Sequence, residues 1–296
     1  MFAAFLAQYA AGCFLAVAGT KIHLADWRYV RLTCIVSASV ALLALFFQFA
    51  DVNDLSRHIA RPETILIGAG LLLGLFWLFV NAAQQGRAGR AQRLLAAIAG
   101  AACLGAALMM ALSREPLNDS IHDPRGSIGS TSESGIPPRA SRFSRAPITP
   151  LGAPLPAGIV VSTILAAGLL GVATTAMLLG HRYLTDTGMT IVPLKSLTNI
   201  YLALILARIA WAAVGTTRLF TAGALPSSHA IYFWLALSVR ILIGLLVAGI
   251  FAFMIRDCVR RRATQSATAL YYLSMLFIFS GELSAQYLLY ANGLTL

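Results

Sequence analysis

Three charged residues interrupt runs that are otherwise apolar. Arg208 lies within 198–216, Arg240 within 228–255 and Glu282 within 266–290. A charge at the centre of a membrane helix costs at least about 2.5–3.5 kcal/mol on insertion scales. Keeping all three points to one shared interior site. Pairing Glu282 with one arginine would leave the other guanidinium for an anionic or polar ligand. A carboxylate at that depth could also carry protons, which arginine cannot, because it stays protonated. The same residues also suit a structural role, as an ion pair that fixes helix register.

Helical spacing enlarges this candidate site. Tyr271, Ser274, Glu282 and Gln286 occupy neighbouring positions of one helix face, and Tyr290 extends it. His229 precedes Arg240 by eleven residues, close to three whole turns, so both point the same way. A second candidate is Gly180-His181-Arg182-Tyr183-Leu184, with Asp186 as a partner for His181. Basic residues closing a helix also suit the negative end of its dipole.

Other chemistry finds little support. Cys13, Cys34, Cys103 and Cys258 are single and widely spaced, with no CxxC pair, so neither a disulfide framework nor a metal site is expected. The five histidines are His23, His58, His122, His181 and His229. They are too scattered to ligate haem, and no cofactor is expected other than a bound quinone. Pro226-Ser227-Ser228-His229 resembles one motif of the type-2 phosphatidic acid phosphatase family. The resemblance covers those four residues alone. No histidine follows His229, so the family's downstream nucleophile and its aspartate partner have no counterpart. The same residues suit the start of a span, with Pro in a first turn and Ser as a cap. No P-loop, dinucleotide fingerprint, GxSxG or HExxH occurs, and whether the chain is an enzyme is left open.

The elements that must position these residues are membrane helices. Apolar residues make up 58% of the 296 residues and charged ones 11%, against about 25% charged in an ordinary soluble domain. The fold class is therefore all-α, a polytopic bundle of about eight transmembrane helices in two four-helix halves. Spans are expected near 2–20, 32–50, 64–81, 94–112, 157–180, 198–216, 228–255 and 266–290, since about 20 residues cross a hydrocarbon core. The apolar run at the N-terminus lacks a basic n-region and continues past Cys13, so it reads as a retained first span. Residues 1–112 form one half and 156–296 the other. The Ser/Pro/Arg-rich loop at 113–155 has too few apolar residues for a core and is expected to be disordered.

The net charge of +11 does not imply nucleic acid, because the basic residues sit mostly in short loops. Twelve of them, from Lys21 to Arg262, fall in the loops after spans one, three, five and seven. That places these loops in the cytoplasm and both termini outside an inner, or plasma, membrane. The halves also read as a duplicated unit. Ile65-Leu66-Ile67-Gly68 recurs as Ile241-Leu242-Ile243-Gly244, and Gly105 matches Gly281 at the same offset of 176. Such a repeat would be parallel.

Three functions fit this pattern. A transporter for a small anionic or proton-coupled solute would use the midplane Arg and Glu residues. A haem-free, quinone-interacting subunit of an electron-transfer complex would need other membrane or redox subunits as partners. Eight helices in two halves without haem resemble the membrane subunits of polysulfide-reductase-type complexes, a likeness of architecture that implies quinone binding. A structural or assembly subunit would need no chemistry.

Overall fold

The computed structural model describes residues 1–19, 27–49, 62–83, 90–112, 156–185, 190–221 and 230–296. The loop at 113–155, Asp186 and His229 lie outside the described residues. So does the segment 226–228.

The described residues form eight helices and no strand: α1 (Phe2–Gly19), α2 (Trp27–Phe49), α3 (Pro62–Ala83), α4 (Arg90–Leu112), α5 (Pro156–Thr185), α6 (Val192–Thr221), α7 (230–260) and α8 (Thr264–Asn292). The chain is an all-α membrane bundle. Its exterior is apolar, as a lipid-facing surface must be: Phe46, Leu72 and Ile231 are 64%, 67% and 80% exposed. The interior combines small alanines with Leu, Ile and Phe side chains, and holds buried tyrosines and the charged residues Arg208, Arg240 and Glu282.

Among the described residues, six helices are long and apolar enough to cross a membrane. Of the other two, α3 is a helix of 22 residues, Pro62–Ala83, and is apolar over Pro62–Phe76. The 29 residues of α8 are long enough, but its buried polar face lowers its apolarity. The helices also outrun the expected spans. At 30 residues, α5 and α6 are about 45 Å long, well beyond a 30 Å hydrocarbon core.

The helices pack as two rings of four. Around the first ring α1 meets α2, α2 meets α3, α3 meets α4, and α4 returns to α1. The second ring, α5 to α8, repeats this order. The rings meet mainly along α1 and α5. There the backbones touch: a Cβ on Gly12 would overlap the backbone of Ala167, and one on Gly171 would overlap Gly12. Membrane helices approach this closely only where small residues line the contact. Polar and aromatic bonds run beside the seam. Tyr29 Oη donates to the Thr175 carbonyl oxygen at 2.9 Å, Thr174 Oγ1 bonds Tyr9 Oη at 3.2 Å, and Phe279 of α8 meets the edges of Phe5 and Tyr9.

The expected repeat can be followed to its glycines. Gly244 and Gly281 do face each other, backbone against backbone, where α7 meets α8. Their counterparts Gly68 and Gly105 do not. The close approach in the first ring is instead Gly70 against Cys103. Ring order is shared, while this contact has moved along the helices.

Gly12→Val forces a branched side chain into backbone, which cannot yield as a side chain would. It should cost at least about 1–3 kcal/mol, the usual range for overpacking. Gly68→Ala, whose Cβ meets nothing within 4 Å, should be silent. Thermal unfolding in detergent reads the difference, and equal melting temperatures would refute the seam.

Candidate functional site

The second ring is held together across its interior by a polar ladder. The helices α6 and α8 stand diagonally in the ring, so only long side chains bridge them. Thr198 Oγ1 and Tyr271 Oη are 2.9 Å apart. Tyr201 Oη and Ser274 Oγ are 2.5 Å apart. Arg208 meets Glu282 as the third rung. The near-constant sequence offset of these pairs follows from two helices running in the same direction.

The third rung is a triad. Arg208 Nε and Nη2 donate to Glu282 Oε1 and Oε2 at 3.0 and 2.7 Å, a bidentate pair. Arg240 Nη1 donates to the same Oε1 at 2.8 Å. Arg208 Nη1 donates to Ser162 Oγ of α5 at 2.9 Å. All four helices of the ring therefore join one hydrogen-bonded cluster, α5 through Ser162 on Arg208. Arg208, Arg240 and Glu282 are each no more than 1% exposed. Both arginines bond Glu282, so the expected division, one arginine paired and one left over, is not what the chain adopts.

Local backbone features deliver these side chains. Within α7, Ala230–Ser238 and Ala248–Arg260 are α-helical, but Val239–Val247 winds as a π-helix. Such wide turns often mark functional sites. This one begins beside Arg240 and carries Gly244 against Gly281, which lets α7 come within reach of Glu282. At the far end of α8, Gly293 adopts the left-handed conformation, φ 69°. Its N–H bonds the Leu289 carbonyl oxygen, the bond of the αL C-cap motif, and that of Leu294 bonds Leu288. The chain then turns back into the ring. Leu294 and Leu296 pack with Leu219, Phe233, Leu237 and Leu288. The Leu296 backbone oxygen accepts weak bonds from Arg240 Nη2 at 3.4 Å and Ser162 Oγ at 3.5 Å.

Gln286, one turn beyond Glu282, serves the seam between rings instead of the triad. Its Nε2 donates to Gln8 Oε1 of α1 at 2.6 Å, and Gln8 Nε2 donates to Thr163 Oγ1 at a long 3.4 Å. Three buried polar atoms in this region have no hydrogen-bond partner: Arg240 Nε, Trp211 Nε1 and Gln286 Oε1. Trp211 stands three residues beyond Arg208 on α6, against Gly158 of α5, which is one turn from Ser162.

The sequence-derived candidates therefore separate. Arg208, Arg240 and Glu282 come together, and Gln286 stands next to them. His181 is exposed at the end of α5, far along that helix from Ser162. Sequence reasoning missed Ser162, Trp211, Gln8 and the tail at Leu296. A serine or glutamine in an apolar run is a weak signal, and nothing in a Gly-Leu-Thr-Leu tail announces that it folds inward.

Comparison with protein-family models, curated proteins and solved structures finds no match for this chain.

The triad makes an asymmetric forecast. Removing one partner of a buried pair typically costs about 3–5 kcal/mol, because a charge is left unpaired. Glu282→Gln leaves two guanidiniums facing each other and should fall in or above that range. Arg208→Gln loses three hydrogen bonds and should be nearly as severe. Arg240→Gln leaves a neutral, bidentate Arg208–Glu282 pair and should cost least. Thermal unfolding of the three variants checks the order, and an Arg240→Gln loss as large as that of Glu282→Gln would refute this account.

Proposed function

We propose that the chain is a rigid, haem-free membrane subunit that binds a quinone-type ligand in the second ring, beside the Arg208–Glu282–Arg240 triad. The observation that carries this reading is the set of unpartnered buried atoms. Arg240 Nε–H and Trp211 Nε1–H are donors without acceptors, and Gln286 Oε1 is an acceptor without a donor. A buried polar group left unpaired costs about 1–3 kcal/mol. A quinone offers two carbonyl acceptors, and its reduced form offers hydroxyl donors. An amphipathic head group thus matches both kinds of vacancy. The electrons would have to come from a redox partner subunit.

The seam between rings supports a fixed site. Carriers of parallel-repeat design work by rocking one bundle against the other. Here Gly12 lies against the Ala167 and Gly171 backbones, and Gln8 ties α1 to α5 and α8. That contact resists rocking.

A second reading has its own observation. Two guanidiniums face one carboxylate, so the triad carries an excess positive charge deep in the bundle. A carrier for a small anion, with Arg240 as the recognition group, would use that excess.

Purified protein should release quinone on solvent extraction. It should also bind a short-chain ubiquinone or menaquinone analogue, with Arg240→Gln and Trp211→Phe each weakening binding about tenfold, as loss of one hydrogen bond of roughly 1.5 kcal/mol implies. Unchanged affinity in both variants would sink the quinone reading. Anion uptake into proteoliposomes, abolished by Arg240→Gln, would establish the carrier instead. A folded protein that neither binds quinone nor moves anions would be a structural membrane subunit.

A further inference from the structure

We propose that a cleft between the start of α6 and the end of α7 is a binding site for a phosphate group, such as the headgroup phosphate of an anionic lipid. The cleft has a volume of about 220 Å³ and is lined by Lys195, Thr198, Asn199, Arg256, Val259 and Arg260. It stands at the opposite end of the second ring from the Leu296 tail and is independent of the triad.

Spacing builds the site. Lys195 and Asn199 are one turn apart on α6, and Arg256 and Arg260 are one turn apart on α7. Residues four apart share a helix face, so each helix presents two polar groups to the other across the cleft. Thr198 and Val259 are buried and form its floor, while the three cations and Asn199 are exposed at its walls. Among the described residues, none of the three cations is in an ion pair. Among the described residues, the neighbouring acid Asp257 is taken by Arg261 at 2.8 Å. Three cations around one small cleft, with the Asn199 amide between them, suit a tetrahedral anion.

Position favours a phosphate at the membrane surface. Helix α6 is about 45 Å long by its 30 residues, so its ends reach beyond the hydrocarbon into the headgroup layer. Basic pockets between membrane helices at this level recognise lipid headgroups. The same side of α7 turns apolar toward the bilayer: Phe253, three residues before Arg256, is 53% exposed. A lipid phosphate in the cleft would lay its acyl chain there. Free phosphate would use the same cations without the apolar contact.

The full chain in detergent tests this. Binding of phosphatidylglycerol, of phosphatidylcholine and of inorganic phosphate is measured for wild type, for Lys195→Gln/Arg256→Gln/Arg260→Gln, and for the neighbouring control Arg261→Gln/Arg262→Gln. The triple variant should lose at least tenfold in phosphatidylglycerol affinity, and the control should change less than twofold. Arg256→Gln alone should lose about threefold, which keeps the test alive if the triple variant does not fold. Competition by millimolar inorganic phosphate would identify a free-phosphate site, and its failure to compete a lipid site. The proposal falls if phosphatidylcholine binds as tightly as phosphatidylglycerol, if cleft and control variants lose equally, or if no phosphate-bearing probe binds.

Discussion

The second ring is organised by a carboxylate that two guanidiniums share. Glu282 receives three strong hydrogen bonds, and their donors come from α6 and α7. An ionised group in a low-dielectric interior is tolerable only when its lone pairs are filled and its charge is opposed. Those requirements propagate outward. Arg208 must cross the ring, so α6 and α8 stand on a diagonal with an interior polar ladder between them. Arg240 must approach from the side, so α7 widens into a π-helix and its backbone is pressed onto Gly281. Ser162 supplies the acceptor that Arg208 Nη1 would otherwise lack.

The first ring has no such centre among its described residues. Its interior is dominated by small and apolar side chains, with hydroxyls such as those of Thr33 and Ser37 bonded back to their own helix. This contrast explains why the shared ring order does not extend to shared contacts. In the second ring the glycine pair is needed to bring a charged helix close. In the first no charge demands it, and Gly70 against Cys103 suffices. A duplicated ancestor would be free to diverge in this way, with polar chemistry concentrated on one side of the seam.

The helices were legible in the sequence because membrane spans leave the strongest of all patterns, long apolar runs with basic residues between them. The buried charges were legible for the same reason: Arg208, Arg240 and Glu282 stand out against an apolar background. Their partners did not. Whether Glu282 takes one arginine or two depends on the rotation of α7, and the π-helical turn that sets it has no signature in Val239–Val247. Gln286 shares a face with Glu282, yet that face is wide enough to serve both the triad and Gln8. The inward fold of Leu294 and Leu296 depends on a left-handed Gly293, which a sequence reads only as a helix end.

The two concentrations of positive charge in this bundle obey different physics. At the end where α6 starts and α7 ends, Lys195, Arg256 and Arg260 are exposed, and screening keeps their mutual repulsion small. They need no fixed partner to be stable, so their grouping around one cleft is not demanded by folding. Beside Glu282 the situation is reversed. Arg240 is fully buried, and its charge cannot be screened by solvent, so Glu282 and the packing around it must hold it. A triad of two cations and one anion is thus a poor choice if stability were its only purpose, since a simple Arg208–Glu282 pair would be neutral and bidentate. The second arginine adds electrostatic cost, a strong hydrogen bond to Glu282, a weak one to the Leu296 oxygen and an Nε–H with no acceptor. A buried guanidinium that keeps one donor unused is what sets this triad apart from a simple ion pair.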